Sequence, residues 1–344
     1  MALLLRNHEV RGLMGVSDYI AAIELGYREF GLGRGVNLPR HNLWLGSSQG
    51  EPAAGGHLQP GASGALTYKG GVLPAMRAAG IQAYTWGVGQ GIATYLLLFD
   101  TQTGELTALM EVLYYDWLKT AAVAAVATRY LAPENSAVAA IFGTGRHARS
   151  QLRALCSVRP IQRVQAYSRT AGRQRDFCLE MTRELGVEVF PAASAQAALT
   201  EADIITTMTT SPEPVFNGAW LDRNRPLHIN AMGAHEPWVR EIDEQVVLQS
   251  RIVLDVWEQG LKEQGEILLP MSEGGLGRDQ IHADLSEIIT GRAPGRTSDA
   301  PWTLFLSGGT GLEDIAVASH LLERARAKGV GTEIELNQPY QFQL

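Results

Sequence analysis

The chain has 344 residues, a hydrophobic fraction of 45%, 37 glycines and a formal charge of -7 at pH 7. That is more than one core usually holds, and it reads as a two-domain α/β protein. The charge is dispersed without a basic stripe and no apolar run reaches the ~18 residues of a membrane span, so neither nucleic acid nor membrane is expected as a partner.

Met1 to Val10 does not read as a signal peptide, Cys156 and Cys178 make no disulfide framework, and no metal site is read. A cytoplasmic protein is expected. Leu3-Leu4-Leu5 begins the chain as a strand. Ser17 to Gly31 follows as a helix, with Tyr19, Ile20, Ile23 and Tyr27 on one face and Ser17 available as its cap. Gly50 to Gly64, rich in Gly, Pro, Ala and Ser, is a long loop. Strand signals recur at Leu66 to Tyr68, Ile81 to Trp86, Ala93 to Asp100 and Leu106 to Val112. Their short turns suggest an antiparallel or mixed sheet. Trp117 to Leu131 is an Ala-rich helix that ends at Pro133.

Beyond it, the apolar run Ala137 to Phe142 reads as a buried parallel strand and Arg149 to Val158 as a helix. Between them lies Gly143-Thr144-Gly145-Arg146-His147-Ala148, a Gly-x-Gly-x-x-Ala string in the setting of a dinucleotide loop. Gly143 permits the turn, Gly145 lets a pyrophosphate approach, and Ala148 lets the helix pack with its N-terminus toward the phosphates. The string alone is a weak signal, and its context strengthens it. The strand Val164 to Ser168, about twenty residues on, is where this fold meets the adenosine ribose. No carboxylate stands there. Ser168, Arg169 and Thr170 do, with Arg173 and Arg175 behind, a set that suits a 2′-phosphate. NADP(H) is therefore favoured over NAD(H), a solvated helix start being the plain alternative.

Strands at Glu188 to Phe190, Asp203 to Thr207, Leu227 to Ala231 and Ile252 to Asp255 continue the alternation of a doubly wound parallel sheet. After Gln280 come a helix around Leu285 to Thr290, a Gly-rich turn from Ser307 to Gly311, and a final helix from Glu313 to Lys328 expected to return to the first domain. The expected division is 1–118 plus 312–344 as a smaller α+β substrate-binding and dimerisation domain, and 119–311 as a Rossmann-type dinucleotide-binding domain.

Several stretches fall in order and at spacings that resemble the ornithine cyclodeaminase and μ-crystallin family, which also holds archaeal-type alanine dehydrogenases and ketimine reductases. They are Leu118 to Ala122, Gly143 to Ala148, Thr206 to Ser211 with Pro214-Val215, His228 to Ala234, Arg240 to Asp243, Gln264 to Ile267, and Leu304 to Ser307 followed by Asp314. The resemblance covers most of the chain and implies a homodimer paired through its N-terminal domains. Cofactor contacts are expected from the Gly143 to Ala148 loop, Ser168, Arg169, Thr170, Thr207, Met208, Thr209, Met232, Gly233 and Ser307.

Departures from the family pattern bear on the chemistry. In the family an Arg on the strand before a Met-Pro-Ala stretch helps bind the substrate carboxylate; Lys69, ahead of Leu73-Pro74-Ala75, takes that place. The catalytic Lys that follows a Gly-hydrophobic pair is Gln82 here, the Arg of Arg-Thr-Ala-Ala is Lys119, and the Asp that cyclodeaminases place after Gly-Ala or Gly-Gly is His235. Lysine keeps the charge of arginine without its planar fork. Gln82 can orient a substrate but cannot act as an acid or base, whereas a histidine can. His235 is therefore the expected proton donor with Lys69 in reserve, while Lys69, Lys119 and, with lower weight, Arg40 hold the carboxylate. Arg40 comes with its neighbour His41. The plain alternatives are lysines at solvated element ends and a histidine bonded within its loop. Glu266 and Asp314 would either orient the nicotinamide or pocket residues or serve as caps and ion pairs.

The resulting reading is an NAD(P)H-dependent reductase or dehydrogenase of a small imino or amino acid. Two alternatives stay open: a cyclodeaminase-type lyase with bound NAD, and a homologue that binds ligand without chemistry.

Overall fold

The computed structural model describes residues 1–46, 62–87 and 92–336. These form two compact units, one of residues 1–46, 62–87, 92–119 and 310–336, the other of residues 120–309. The first unit opens with β1 (Ala2–Leu5), α1 (Asn7–Val10), α2 (Val16–Gly31), β2 (Val36–Gly46), β3 (Ala62–Leu73), β4 (Ala78–Trp86), β5 (Ala93–Asp100) and β6 (Leu106–Glu111). The chain passes from one unit to the other within α3 (Leu113–Leu131). The second unit continues with β7 (Val138–Phe142), α4 (Arg146–Val158), β8 (Arg163–Tyr167), α5 (Ala171–Leu185), β9 (Glu188–Pro191), α6 (Ala195–Ala198), β10 (Ile204–Thr207) and β11 (Leu227–Ala231). It is completed by α7 (Glu244–Gln249), β12 (Arg251–Leu254), α8 (Trp257–Glu263), α9 (Gly265–Ser272), β13 (Ile281–Asp284), α10 (Leu285–Ile289) and β14 (Trp302–Leu306). Finally α11 (Gly311–Lys328) and β15 (Thr332–Ile334) belong to the first unit.

The first unit has one mixed sheet in the order β15-β1-β6-β5-β4-β3-β2, antiparallel except where β1 meets β6. Two local expectations are corrected. β3 begins at Ala62, so the end of the predicted Gly50 to Gly64 loop is strand: Gly64 pairs with Leu45 and Ala62 with Gly46. The earlier part of that loop lies outside the described residues. Gly15 rather than Ser17 caps α2, because Asp18 Oδ2 accepts the Gly15 N–H at 2.9 Å and draws the helix start back to Val16.

Helices α2 and α11 pack on each other and on one face of this sheet. Their approach is close enough that a Cβ at Gly26 would stand 2.8 Å from Ala316 Cβ. Strand alternation sends Lys69, Gln82 and Leu96 to the helix-covered face. The opposite face carries Leu43, Leu66, Ile81, Tyr95 and Leu97, each at least 40% exposed. At the start of α11, a Cβ at Gly311 would stand 2.1 Å from Gly70 O, so backbone meets backbone there. Asn37 Oδ1 accepts the Leu312 N–H at 3.1 Å and Thr310 caps the helix. The first turn of α11 is thereby pressed onto β3, and Glu313 and Asp314 are buried.

The second unit is built on a parallel sheet of the order β13-β12-β14-β11-β10-β7-β8-β9. Its order reverses between β7 and β10, the switch point of a doubly wound fold. Alternation along β7 sends Ile141 into a core with Leu152, Val164 and Phe177, and Phe142 into a core with Ile205, Ile229 and Leu304. β13 and β14 were not among the predicted strands, although β14 lies between β11 and β12. A five-residue run buried on both faces, directly before a Gly-rich turn, has no period to announce it.

The second half of α3 is stitched into this unit. Asn230 Nδ2 donates to Thr128 Oγ1 at 3.0 Å and Thr303 Oγ1 to Leu131 O at 2.9 Å. The buried guanidinium of Arg159 donates to the carbonyls of Thr128, Arg129, Ala132 and Pro133 at 2.7–3.0 Å. It thus satisfies acceptors that the end of α3 leaves open. Cys156 and Cys178 are free thiols. Among the described residues, no helix is long and apolar enough to cross a membrane.

Candidate functional site

Lys69 on β3 and Gln82 on β4 face each other in register, so their side chains rise together from the helix-covered face. Asp314, carried in by α11, receives both. Lys69 Nζ lies 3.1 Å from Asp314 Oδ2, and Lys119 Nζ lies 2.8 Å from Oδ1. Gln82 Nε2, with the amide turned to meet its acceptors, donates to Oδ2 at 2.6 Å and Oδ1 at 3.2 Å. All four side chains are buried.

The two lysines are not equivalent. Lys119 also meets Asp116 at 3.4 Å and Glu313 at 3.8 Å. Burial works against its charge, but Asp314, Asp116 and Glu313 prevail and hold its pKa above the ordinary lysine value. Glu313 in turn accepts a bond from Tyr27 OH at 2.7 Å. For Lys69 burial wins: helped by the like charges of Lys119 and Arg40, and against Asp314, it draws the ammonium down to about 8.

The structure thus gathers Lys69, Gln82, Lys119 and buried Arg40 in one unit. His41 lies apart, stacked on Tyr68 with ring centroids 5.4 Å apart, because alternation turns Tyr68 away from Lys69. Asp314 is the shared acceptor. Its weight in the sequence was low because nothing local marks a carboxylate on the first turn of a helix as more than a cap.

In the second unit, the loop between β7 and α4 carries Gly143 at a φ of 101°. A Cβ on Gly143 would stand 2.3 Å from Met208 O, so only glycine lets the loop settle against the end of β10. Gly145 is the N-cap of α4 without a side-chain cap, and space is open where its Cβ would be. Ala148 is buried where α4 meets the sheet. Arg149 Nη1 donates to Thr144 O at 2.9 Å and Gly145 O at 3.1 Å, and pairs with Glu180 of α5. These bonds hold the loop carbonyls. At the end of β8, Ser168 Oγ accepts the Thr170 N–H at 3.3 Å, Arg169 and Arg173 are exposed, and residues 163–175 hold no carboxylate. An uncapped helix start, open space at Gly145 and an acid-free ribose position fit a dinucleotide phosphate.

The remaining expected contacts lie along the carboxyl edge of the same sheet. Met208 N donates to Phe142 O, Met232 N to Thr207 O and Ser307 N to Ala231 O, at 2.9, 3.0 and 3.2 Å. Thr207, Thr209, Gly233 and Ser307 therefore follow one another on adjacent strand ends. Buried Glu241 joins two of these ends, accepting the Thr209 N–H at 2.7 Å, the Thr209 hydroxyl, and the Gly233 N–H at 2.9 Å. In the sequence Glu241 stands only within the Arg240 to Asp243 stretch, and nothing local marks its role. His235 is partly exposed in this unit, with Nε2 3.8 Å from Glu236 Oε1. Its Cβ would stand 2.9 Å from a Cβ on Gly308. It lies at the β14 end, while the lysine cluster belongs to the first unit. Among the described residues no group of three or more His, Cys, Asp or Glu side chains is placed to hold a metal ion.

Comparison with known proteins agrees with both units. The model of the ornithine cyclodeaminase/mu-crystallin family matches residues 2–329. A Delta(1)-pyrroline-2-carboxylate reductase of Bacillus cereus is 32% identical over 338 residues, 97% of this chain and 99% of the relative. The structure of Thermococcus litoralis Delta(1)-pyrroline-2-carboxylate reductase in complex with NADH and L-proline matches with a TM-score of 0.86 at 32% identity, over 96% of this chain and 100% of that one. An archaeal alanine dehydrogenase dimer with bound NAD matches with a TM-score of 0.86 at 29% identity, over 98% and 99%. The chain belongs to the ornithine cyclodeaminase/mu-crystallin family.

Proposed function

We infer that this chain is an NAD(P)H-dependent oxidoreductase that reduces the C=N bond of a small imino acid. The observation that carries the reading is the buried cluster of Lys69, Lys119 and Arg40, cations suited to a carboxylate, in a chain whose other unit bears a dinucleotide loop. Bound NAD(P)H supplies the hydride. Relatives that reduce pyrroline-2-carboxylate support a cyclic imino acid as substrate. The wild-type protein is expected to oxidise NADPH when given Delta(1)-pyrroline-2-carboxylate. Ammonia release from ornithine without net cofactor turnover would instead make it a lyase.

An imine takes up hydride readily only when its nitrogen is protonated, so a donor is needed beside the substrate. Lys69 is the better placed donor: it sits with the carboxylate-binding cations, and its ammonium titrates at about 8. Lys119, held by three carboxylates, stays charged and with Arg40 binds the substrate carboxylate. Gln82 orients Asp314. His235, at the carboxyl edge of the second unit, becomes a neighbour of the cofactor in this reading. An acid is active while protonated, so turnover should fall as pH rises through about 8. Lys69→Gln should lower turnover roughly a hundredfold and remove that limb. If the limb survives in Lys69→Gln and disappears in His235→Ala, the proton comes from the histidine.

Ser168, Arg169 and Thr170 support NADP(H) over NAD(H), because no carboxylate there would repel a 2′-phosphate. Arg169→Asp should weaken NADPH binding and spare or improve NADH binding, measured by nicotinamide fluorescence. Equal affinity of the wild type for both cofactors would remove this preference.

The apolar face of the first unit supports a homodimer. Leu43, Leu66, Ile81, Tyr95 and Leu97 form a stripe across four adjacent strands, and a second copy of the same face would cover it. Sedimentation at micromolar concentration should give a dimer, and Leu97→Glu should shift it toward monomer. A monomeric wild type would contradict the assignment.

A further inference from the structure

We propose that Glu241 is a positioning residue of the cofactor site: its ionised carboxylate clamps the strand end at Thr209 to the strand end at Gly233 and so sets the edge against which the nicotinamide lies. The proposal rests on the reading of that edge as the cofactor site. Oε1 of Glu241 takes the N–H and hydroxyl of Thr209, and Oε2 takes the Gly233 N–H. Each of these partners can present a hydrogen to the carboxylate, and hydrogen bonds to an ionised carboxylate are roughly twice as strong as neutral ones, so protonation of Glu241 loosens the set. The seat is built for it. A Cβ at Gly233 would stand 2.2 Å from Glu241 Oε2, so any side chain there would evict the carboxylate.

A second acid backs the first. Gly265 lies so close to Val239 that a Cβ would stand 2.0 Å from its carbonyl oxygen, and this contact brings Glu266 beside Glu241. Glu266 Oε1 accepts the Glu241 N–H at 3.0 Å, while its Oε2 has no hydrogen-bond partner among the described residues. Charge on either of these neighbouring acids disfavours charge on the other. Both carboxyls are fully buried, and burial pushes each up to about 7. The charged groups bearing on the pair are the two acids themselves and Arg240, which favours charge on Glu266 and pairs with Glu244 at 3.6 Å.

The clamp is therefore closed above about pH 7 and opens as the pH falls through that value. Cofactor affinity should follow it. Titrating the protein with NADPH by nicotinamide fluorescence from pH 6 to 9, alongside thermal melts, tests this without turnover. Wild-type affinity should drop on acidification. Glu241→Gln should bind NADPH roughly tenfold or more weakly at pH 8, the scale of losing one hydrogen bond to a charged group, and show no such limb. Glu266→Gln, which removes a like charge and leaves the clamp in place, should move the limb to lower pH; it serves as the test if Glu241→Gln does not fold. Wild-type affinity in Glu241→Gln, or an unmoved limb in Glu266→Gln, overturns the clamp alone. A wild type that binds neither NADPH nor NADH overturns the cofactor reading and the clamp together.

Discussion

The first unit depends on one carboxylate. Lys69 and Lys119 are two buried ammonium groups whose mutual repulsion the fold could not carry without an anion, and Asp314 lies within 3.1 Å of both. Charges taken out of water cost several kcal/mol each unless closely paired, so the position of Asp314 is not free to drift. It is fixed by backbone: Gly311 against Gly70, Leu312 tied to Asn37, and Thr310 capping the turn. A helix start pressed onto a strand thus decides which lysine keeps its proton and which can give it up. The asymmetry lies in the balance at each ammonium: at Lys119 the close acids Asp314, Asp116 and Glu313 outweigh burial, whereas at Lys69 burial and the neighbouring cations outweigh Asp314 and Asp116.

The second unit solves a different problem, that of holding several loop tips in line. Strand ends β7, β10, β11 and β14 hand hydrogen bonds from one to the next, and glycines at 143 and 233 remove the atoms that would keep the tips apart. Arg149 works from below on the Gly143 to Ala148 loop by occupying two of its carbonyls. In both units, then, buried charge aligns backbone at places where secondary structure stops.

Much of the fold was legible in the sequence. The Gly-x-Gly-x-x-Ala string, its flanking apolar runs and the alternation beyond them gave the doubly wound sheet, because these signals are local and periodic. Ser17 misled because a nearby acid, Asp18, competes for the same cap, and β14 escaped because full burial erases alternation. Residues of the lysine cluster could be named but not assembled. Position 82 read as a lost lysine, yet Lys69 stands directly across from Gln82 and reaches the same carboxylate. Register is a property of two strands, and one sequence lacks the pairing that would reveal it. Asp314 could be named, but its pairing with the lysines could not, since it lies 195 residues from Lys119 along the chain.

The stitching of α3 sets where the dinucleotide unit could be cut free. The first strand of that unit, β7, comes only after Pro133. Yet Arg159 bonds back to Thr128, Arg129 and Ala132, Asn230 to Thr128, and Thr303 to Leu131. A fragment starting at Ser136 would strip the Arg159 guanidinium of every carbonyl it meets except that of Val158, take the Thr128 hydroxyl from Asn230, and leave the Thr303 hydroxyl only the longer contact with Leu227 O. The shortest self-sufficient fragment therefore has to retain the helical turns from Thr120 onward, although they contribute no strand to its sheet.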